Sequence, residues 1–125
     1  MAETKHTILL VEDEADAALA LGNALEHAGY AVTKAADGEQ GLKLALSDHP
    51  DLILADLKMP KMNGMDMIKE IRKDEWGKKA EIIILTNVTD VGMLEEALSH
   101  DTFFYIVKSE TSINDVIATI QARLK

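Results

Sequence analysis

Apolar residues occur along this chain in two alternating patterns, short continuous runs and longer stretches with helical spacing. Continuous runs indicate strands covered on both faces, and apolar residues three or four positions apart indicate amphipathic helices. The predicted strands are β1 (Ile8–Val11), β2 (Tyr30–Ala35), β3 (Asp51–Ala55), β4 (Glu81–Leu85) and β5 (Phe103–Val107). The predicted helices are α1 (Ala15–Ala28), α2 (opening at Asp37, through Leu46), α3 (Met65 through Ile71), α4 (Val91–His100) and α5 (Ile113–Leu124).

Two of the predicted helices have residues that mark one of their ends, and each predicted helix has an apolar face. Gly29 predicts the C-terminal stop of α1, and Asp37 with Gln40 three residues later predicts a capping box at α2. β2 is the least apolar strand and is expected at an edge, whereas β4 is the most apolar and is expected to be central. The residues expected to face the core are Ala15, Ala18, Leu19, Gly22 and Leu25 in α1, Leu42, Ala45 and Leu46 in α2, Met65, Ile68 and Ile71 in α3, Val91, Leu94, Ala97 and Leu98 in α4, and Ile113, Val116, Ile117, Ile120 and Leu124 in α5.

Strict strand–helix alternation predicts an α/β fold, with a parallel sheet and helices on both faces. The length of 125 residues fits one domain, and we interpret residues 1–125 as that domain. The chain has no cysteine, so disulfides and thiolate metal sites are excluded. A net charge of -9 argues against nucleic-acid binding. No run resembles a membrane span or a signal peptide, so we expect a cytoplasmic protein without membrane contact.

Polar residues follow four of the five predicted strands. Glu12 and Asp13 follow β1, and Asp56 follows β3. Thr86 follows β4, and Lys108 follows β5. Binding crevices of open parallel sheets lie beyond the carboxyl ends of the strands. If β1 and β3 are neighbours about 4.8 Å apart, the three carboxylates converge and repel one another, which a hard cation such as Mg²⁺ relieves.

An acidic cluster flanked by one lysine and one threonine indicates phosphoryl chemistry. A carboxylate can act as a nucleophile and form an aspartyl phosphate. A lysine supplies a mobile positive charge, and a threonine hydroxyl supplies a hydrogen bond to a phosphoryl oxygen. Positioning and electrostatics are most of what such a transfer requires.

Four stretches together resemble the response-regulator receiver domain over nearly the whole chain. Each match is weak alone, but their order and their positions at the strand ends make the set specific. The stretches are Ile8–Glu14, Pro50–Gly64, Ile84–Thr86 and Tyr105–Lys108. The resemblance, nearest to single-domain chemotaxis receivers, implies a flavodoxin-like (βα)5 fold, a doubly wound five-stranded parallel sheet in strand order 2-1-3-4-5.

The resemblance also implies the site. Asp56 would be the phosphoacceptor, and Lys108 would pair with the phosphoryl group. Asp13, Asp56 and the backbone carbonyl of Lys58 would bind magnesium, with Glu12 contributing through a water molecule. The domain would catalyse only its own phosphoryl transfer and dephosphorylation, and it would not act on small-molecule substrates.

A switch and its partners follow from the same resemblance. Thr86 would move toward the phosphoryl group and Tyr105 would turn inward, which alters the α4-β5-α5 surface. The donor would be a histidine kinase or a histidine phosphotransfer protein, and a downstream protein would bind the altered surface. The resemblance implies no direct nucleic-acid binding and a monomer or weak homodimer.

The chain departs from the usual receiver pattern at four places. Glu12 stands where Asp is commoner, and Ser109 replaces the usual proline after the lysine. Asn87 follows Thr86 where a small residue is usual, and Phe103-Phe104 stands where small or acidic residues are usual.

Four other interpretations were weighed, and the residues argue against the first two. A phosphatase of the haloacid-dehalogenase type requires a second Asp at the position of Lys58, and a flavodoxin-like cofactor binder requires a Ser/Thr/Gly-rich loop where Glu12, Asp13 and Glu14 stand. A receiver that no longer takes phosphate, or a receiver cut from a longer protein, is compatible with the sequence.

Overall fold

The computed structural model describes residues 5–86, 95, 104–108 and 111–124. The strands are β1 (Thr7–Val11), β2 (Ala31–Ala35), β3 (Leu52–Ala55), β4 (Ile82–Thr86) and β5 (Phe104–Val107). The helices are α1 (Ala15–His27), α2 (Gly38–Asp48), α3 (Gly64–Lys73) and α5 (Ile113–Arg123), with a short 3-10 helix at Gly77–Lys79. The predicted α4 lies outside the described residues except for Glu95. In the described ranges, no helix has both the length and the apolar character needed to cross a membrane.

The sheet is parallel and has five strands in the order β2-β1-β3-β4-β5, as predicted. β2 forms an edge, also as predicted, because it pairs only with β1. β4 lies between β3 and β5 and is internal, although β3 is the middle strand. Val11 pairs with Ala55, so the residues that follow β1 and β3 leave the sheet at the same level.

The core has two layers, one on each face of the sheet. Leu9, Val11, Ile53 and Ala55 join the cluster that contains Met67 and Ile71 of α3. The alternate positions of the same strands join the cluster that contains residues of α1 and α5; these positions are Ile8, Leu10, Leu52 and Leu54. Both faces of the central strands are therefore covered, which is why they are continuously apolar in the sequence.

Four residues expected to face the core, Ala15, Leu19, Leu46 and Ile113, are exposed. Leu19 is 55% exposed, Leu46 38% and Ile113 40%. In α1, Leu21 is buried although it was not predicted to face the core, together with the predicted Gly22 and Leu25. The alanine-rich α1 offers several stripes of similar hydrophobicity, and only packing against the sheet decides between them.

The predicted helix ends are found at both α1 and α2. Gly29 has a φ of 103°, and the amide of Tyr30 donates to the carbonyl of Leu25 at 3.1 Å, so α1 ends in a Schellman motif. Asp37 Oδ1 accepts a hydrogen bond from the amide of Gln40 at 2.8 Å. The side chain of Gln40 accepts a hydrogen bond from the amide of Ala36. In the usual capping box it would accept from the amide of the N-cap residue, here Asp37.

Candidate functional site

The carboxyl ends of β1 and β3 bring three acidic side chains together. The amide of Glu12 donates to the carbonyl of Ala35, and the amide of Asp56 donates to the carbonyl of Val11, both at 3.0 Å. These hydrogen bonds continue the parallel pairing one residue past the strands, and they fix the backbone positions of Glu12 and Asp56. One carboxylate oxygen from each of Glu12, Asp13 and Asp56 lies within 4.8 Å of the others.

Lys108 reaches this cluster from the end of β5. Its Nζ lies 2.6 Å from Oε2 of Glu12 and 2.8 Å from Oδ2 of Asp56. The exposed fractions of the side chains are 17% for Lys108, 2% for Glu12 and 12% for Asp56. The ammonium therefore bridges two carboxylates in a partly desolvated crevice, where ion pairs are stronger than at an open surface.

Both bridged carboxylates also accept a backbone hydrogen bond through their second oxygen. The amide of Glu14 donates to Oε1 of Glu12 at 3.2 Å. The amide of Lys58 donates to Oδ1 of Asp56 at 3.3 Å. These contacts orient the two carboxylates while Asp13 remains exposed.

The crevice shifts the pKa of Glu12 and Lys108. Burial raises the pKa of Glu12, and the hydrogen bonds from Lys108 and the Glu14 amide offset this only in part. Burial alone would lower the pKa of Lys108, but its hydrogen bonds to Asp56 and Glu12 and their negative charges outweigh burial, so the pKa is raised. Lys108 is therefore a cation throughout the physiological pH range.

The raised pKa of Glu12 predicts a pH-dependent stability. Because the folded pKa lies above the model value of 4.5, the stabilising contribution of Glu12 is complete below that value and is lost as pH rises through the folded pKa. Glu12→Gln does not titrate at this position. The free energy of unfolding of the wild type, minus that of Glu12→Gln, should therefore fall as pH rises from 4.5 through the raised pKa of Glu12.

Urea unfolding in a metal chelator would measure this difference. Glu26→Gln, at an exposed position of α1, is the matched control for losing one glutamate charge. A difference for Glu12→Gln that is constant or grows with pH would contradict the expectation.

A glycine was overlooked as part of the site. The amide of Gly64 donates to the carbonyl of Leu57 at 2.8 Å. A Cβ added to Gly64 would lie 2.1 Å from the carbonyl oxygen of Asp56, so only glycine fits there. α3 was predicted to begin at Met65, but Gly64 is its first residue, and Asn63 caps it by accepting a hydrogen bond from the amide of Asp66.

Other predicted site residues are described in part or not at all. The backbone of Thr86 ends β4 and pairs with Val107, but its side chain lies outside the described part of the chain. Tyr105 is 43% exposed on β5. The predictions for Asn87, Phe103 and Ser109 fall outside the described residues, as does the side chain of Phe104.

Comparisons with known proteins show the family and the fold of this chain. The family model of the response regulator receiver domain matches residues 8–121. The response regulator ArlR of Staphylococcus saprophyticus is 38% identical over 118 residues, which cover 94% of this chain and 52% of that protein. The chain spans about half the length of the curated relatives it matches.

Solved structures are similar over nearly the whole chain. The chemotaxis response regulator CheY4 of Vibrio cholerae has a TM-score of 0.87 at 28% identity, and the match covers 95% of this chain and 98% of that one. The receiver domain of the sensor histidine kinase PA1611 from Pseudomonas aeruginosa has a TM-score of 0.86 at 31% identity, covering 95% and 97%. That receiver was solved with a magnesium ion coordinated in its active-site cleft.

Proposed function

The chain belongs to the response regulator receiver domain family, and from this we propose that it is a phosphorylation-dependent switch whose phosphoacceptor is Asp56. The observation that carries the proposal is the position of the Asp56 carboxylate. It lies at the end of the middle strand, within a cluster of three carboxylates, and one of its oxygens is 2.8 Å from Nζ of Lys108. This arrangement orients a carboxylate nucleophile beside a cation that can receive the charge of a phosphoryl group.

The other two acids are poorer acceptors. The side chain of Glu12 is only 2% exposed, so a phosphodonor does not reach it. Asp13 is exposed, but the ion pairs of Lys108 go to Glu12 and Asp56. The carboxylate of Asp56 is both reachable from solvent and paired with Lys108.

The acidic cluster fits a divalent cation. The ammonium of Lys108 carries one positive charge, which balances at most one of the three carboxylates in the cluster. Carboxylate oxygens are the ligands that Mg²⁺ prefers. Asp13 and Asp56 would hold the ion directly, with the carbonyl of Lys58 and, through water, Glu12. When bound, the ion supplies neutralising charge for the transferred group. The magnesium-containing PA1611 receiver supports this assignment.

In the proposed transfer, an oxygen of Asp56 attacks the phosphorus of a phosphohistidine. An O–P bond forms as the P–N bond of the donor breaks, and the bonding electrons leave with the imidazole. Lys108 then pairs with a phosphoryl oxygen, while Glu12 holds its ammonium at the crevice. Thr86 donates a hydrogen bond to the phosphoryl group. The donor is a histidine kinase or a histidine phosphotransfer protein.

Incubation with acetyl phosphate, followed by intact-mass measurement, tests the proposal. With Mg²⁺ the wild type should gain one phosphoryl adduct that is lost in acid, as expected of an acyl phosphate, and Asp56→Asn should gain none. Asp51→Asn, at the amino end of β3, is the matched control and should still be phosphorylated. Failure of the wild type to gain an adduct, or an adduct on Asp56→Asn, would refute the assignment.

A metal-dependent stability is the next expected result. In a chelator, Asp13→Asn should raise the free energy of unfolding by about 0.2–1 kcal/mol, because it removes one of three like charges near the surface. Added Mg²⁺ should stabilise the wild type by mass action and should stabilise Asp13→Asn far less. Thermal unfolding with and without Mg²⁺ measures both effects. Equal stabilisation of the two proteins would contradict the role of Asp13.

The switch is proposed to run through Thr86 and Tyr105 to the α4-β5-α5 surface. Tyr105 is exposed on β5, so an inward turn would bury its ring. Beryllofluoride with Mg²⁺ should therefore shift the NMR signals of the Tyr105 ring, while the ring of Tyr30, packed in the core, serves as a control. Unchanged Tyr105 signals in the loaded protein would argue against the coupling.

The downstream partner is proposed to be a protein that binds the α4-β5-α5 surface. A relative from Guillardia theta, 37% identical over 123 residues, is named a probable transcriptional regulator, and the match covers 47% of its length. An output domain linked to the receiver is therefore the alternative to a separate partner. The full-length gene distinguishes the two.

A further inference from the structure

The start of α2 contacts the loop that follows the proposed phosphoacceptor. The amide of Gly38 donates to the carbonyl of Met62 at 3.0 Å. A Cβ added to Gly38 would lie 2.0 Å from that carbonyl oxygen and 2.7 Å from its carbon. Both atoms belong to the backbone, so a larger residue would push the loop away from the helix.

A need for positive φ does not explain why glycine occupies position 38. Among the described glycines, Gly29 alone has a positive φ. Gly38 is the first residue of α2 and does not adopt the left-handed conformation that favours glycine. The close approach of Met62 is therefore the feature that requires glycine.

The same contact holds a strained turn in place. Lys61 has a φ of 64°, and the amide of Met62 donates to the carbonyl of Pro60 at 2.7 Å. A γ-turn with positive φ is rare and strained, and it persists only where the surrounding structure holds it. The Nζ of Lys61 also lies 3.8 Å from Oδ2 of Asp37, the residue before Gly38.

The loop between Asp56 and α3 is thus anchored at two points. Gly64 anchors it on the backbone of Asp56 and Leu57, and Gly38 anchors it through Met62. Lys58 lies between the two anchored residues, Leu57 and Met62. Movement at Met62 would be transmitted along a short backbone segment to the proposed metal-binding carbonyl.

We propose that Gly38 is a positioning residue of the phosphorylation site. By seating residues 57–63 against α2, it sets the backbone that presents Asp56 and the carbonyl of Lys58. Gly38 touches no reacting atom and acts only through the loop. The inference rests on the proposed metal-dependent switch and extends it to the connection after β2, where the sequence indicates only a helix cap.

Two matched glycine variants test the proposal. In Gly77→Ala the added Cβ would also meet a backbone carbonyl, that of Ile71 at 1.7 Å, but Gly77 precedes β4, at the opposite end of the sheet. Both variants should be less stable than the wild type. Calorimetric titration with Mg²⁺ should show affinity reduced about tenfold or more in Gly38→Ala and unchanged in Gly77→Ala. Wild-type Mg²⁺ affinity in Gly38→Ala would overturn the proposal.

A metal-free measurement separates this inference from the proposed function. Hydrogen exchange at the amide of Gly64, which is bonded to Leu57, should accelerate more in Gly38→Ala than in Gly77→Ala at equal global stability. If the wild type binds no Mg²⁺, the proposed function fails, and this comparison still tests the positioning. Equal Gly64 exchange in the two variants would overturn it.

The wild type provides a test that does not depend on a variant's folding. If the Gly38 contact favours the metal-binding form of the loop, then by reciprocity Mg²⁺ must strengthen the contact. Saturating Mg²⁺ should slow exchange of the Gly38 amide more than that of His49, whose amide bonds to Ala45 at the other end of α2. Equal effects on the two amides would count against the proposal.

Discussion

Replacing Lys108 with methionine is expected to slow phosphorylation of Asp56 by about 10²–10³-fold, the loss typical of removing one preorganised charge or donor from a transition state. Methionine keeps an unbranched apolar side chain and removes only the ammonium. The charge that develops on the phosphoryl oxygens would then lack the cation that lies 2.8 Å from Asp56 in the resting structure.

The same change should destabilise the metal-free protein. It leaves Glu12, which is 3% exposed, and Asp56 without their shared cation. Breaking a fully buried pair costs about 3–5 kcal/mol. Because this crevice is partly open to water, we expect a smaller loss of about 1–3 kcal/mol in the free energy of unfolding.

A double variant separates the stability effect from the chemical effect. Lys108→Met with Glu12→Gln removes one charge of each sign and should recover part of the lost stability. Its phosphorylation by acetyl phosphate should remain as slow as that of Lys108→Met alone. Urea unfolding and intact-mass kinetics measure the two quantities. Wild-type phosphorylation rates in either variant would show that Lys108 has no part in the transfer.

The strands were predictable because the sheet is buried on both faces. Ile53 and Leu54 point to opposite faces of the sheet and both are fully buried, so the apolar runs mark the inner strands directly. Helix faces were harder to predict. Leu19 and Leu46 fit an apolar stripe by spacing, but their exposure depends on how each helix lies on the sheet. The 3-10 helix at Gly77–Lys79 carries no periodic signal and was missed.

The polar residues of the site were predictable from their positions after the strands. Asp56 and Lys108 are 52 positions apart, and a parallel sheet brings such strand ends to one edge. The sequence did not indicate that Glu12 pairs directly with Lys108, since that contact depends on side-chain reach. The stacking of His49 on Trp76, with ring centroids 4.5 Å apart, was also not foreseen.

The glycines near the site show the same limit of sequence reasoning. Gly38 and Gly64 lie beside a helix cap and a turn signal, which account for a glycine without any tertiary contact. Their close approach to backbone carbonyls is a property of how α2 and α3 meet the loop. A single sequence carries no pattern for such an approach.

Replacing Gly64 with alanine is the second change expected to have a large effect. The added Cβ would lie 2.1 Å from the carbonyl oxygen of Asp56 and 3.0 Å from Cα of Leu57. Neither atom can yield without moving the backbone of the proposed phosphoacceptor. We expect a loss of about 1–3 kcal/mol in the free energy of unfolding. Misplacement of the nucleophile should slow phosphorylation by about 10²-fold.

The control for this prediction is Gly29→Ala, at the end of α1. Gly29 has a φ of 103°, and a Cβ there would meet no atom within 4 Å, so alanine introduces backbone strain without a clash. Its expected cost of about 1–2 kcal/mol is comparable, but its phosphorylation rate should equal that of the wild type. Rates measured where both variants are fully folded separate placement of Asp56 from stability. If Gly64→Ala is phosphorylated as fast as Gly29→Ala, the contact between Gly64 and Asp56 serves the fold alone.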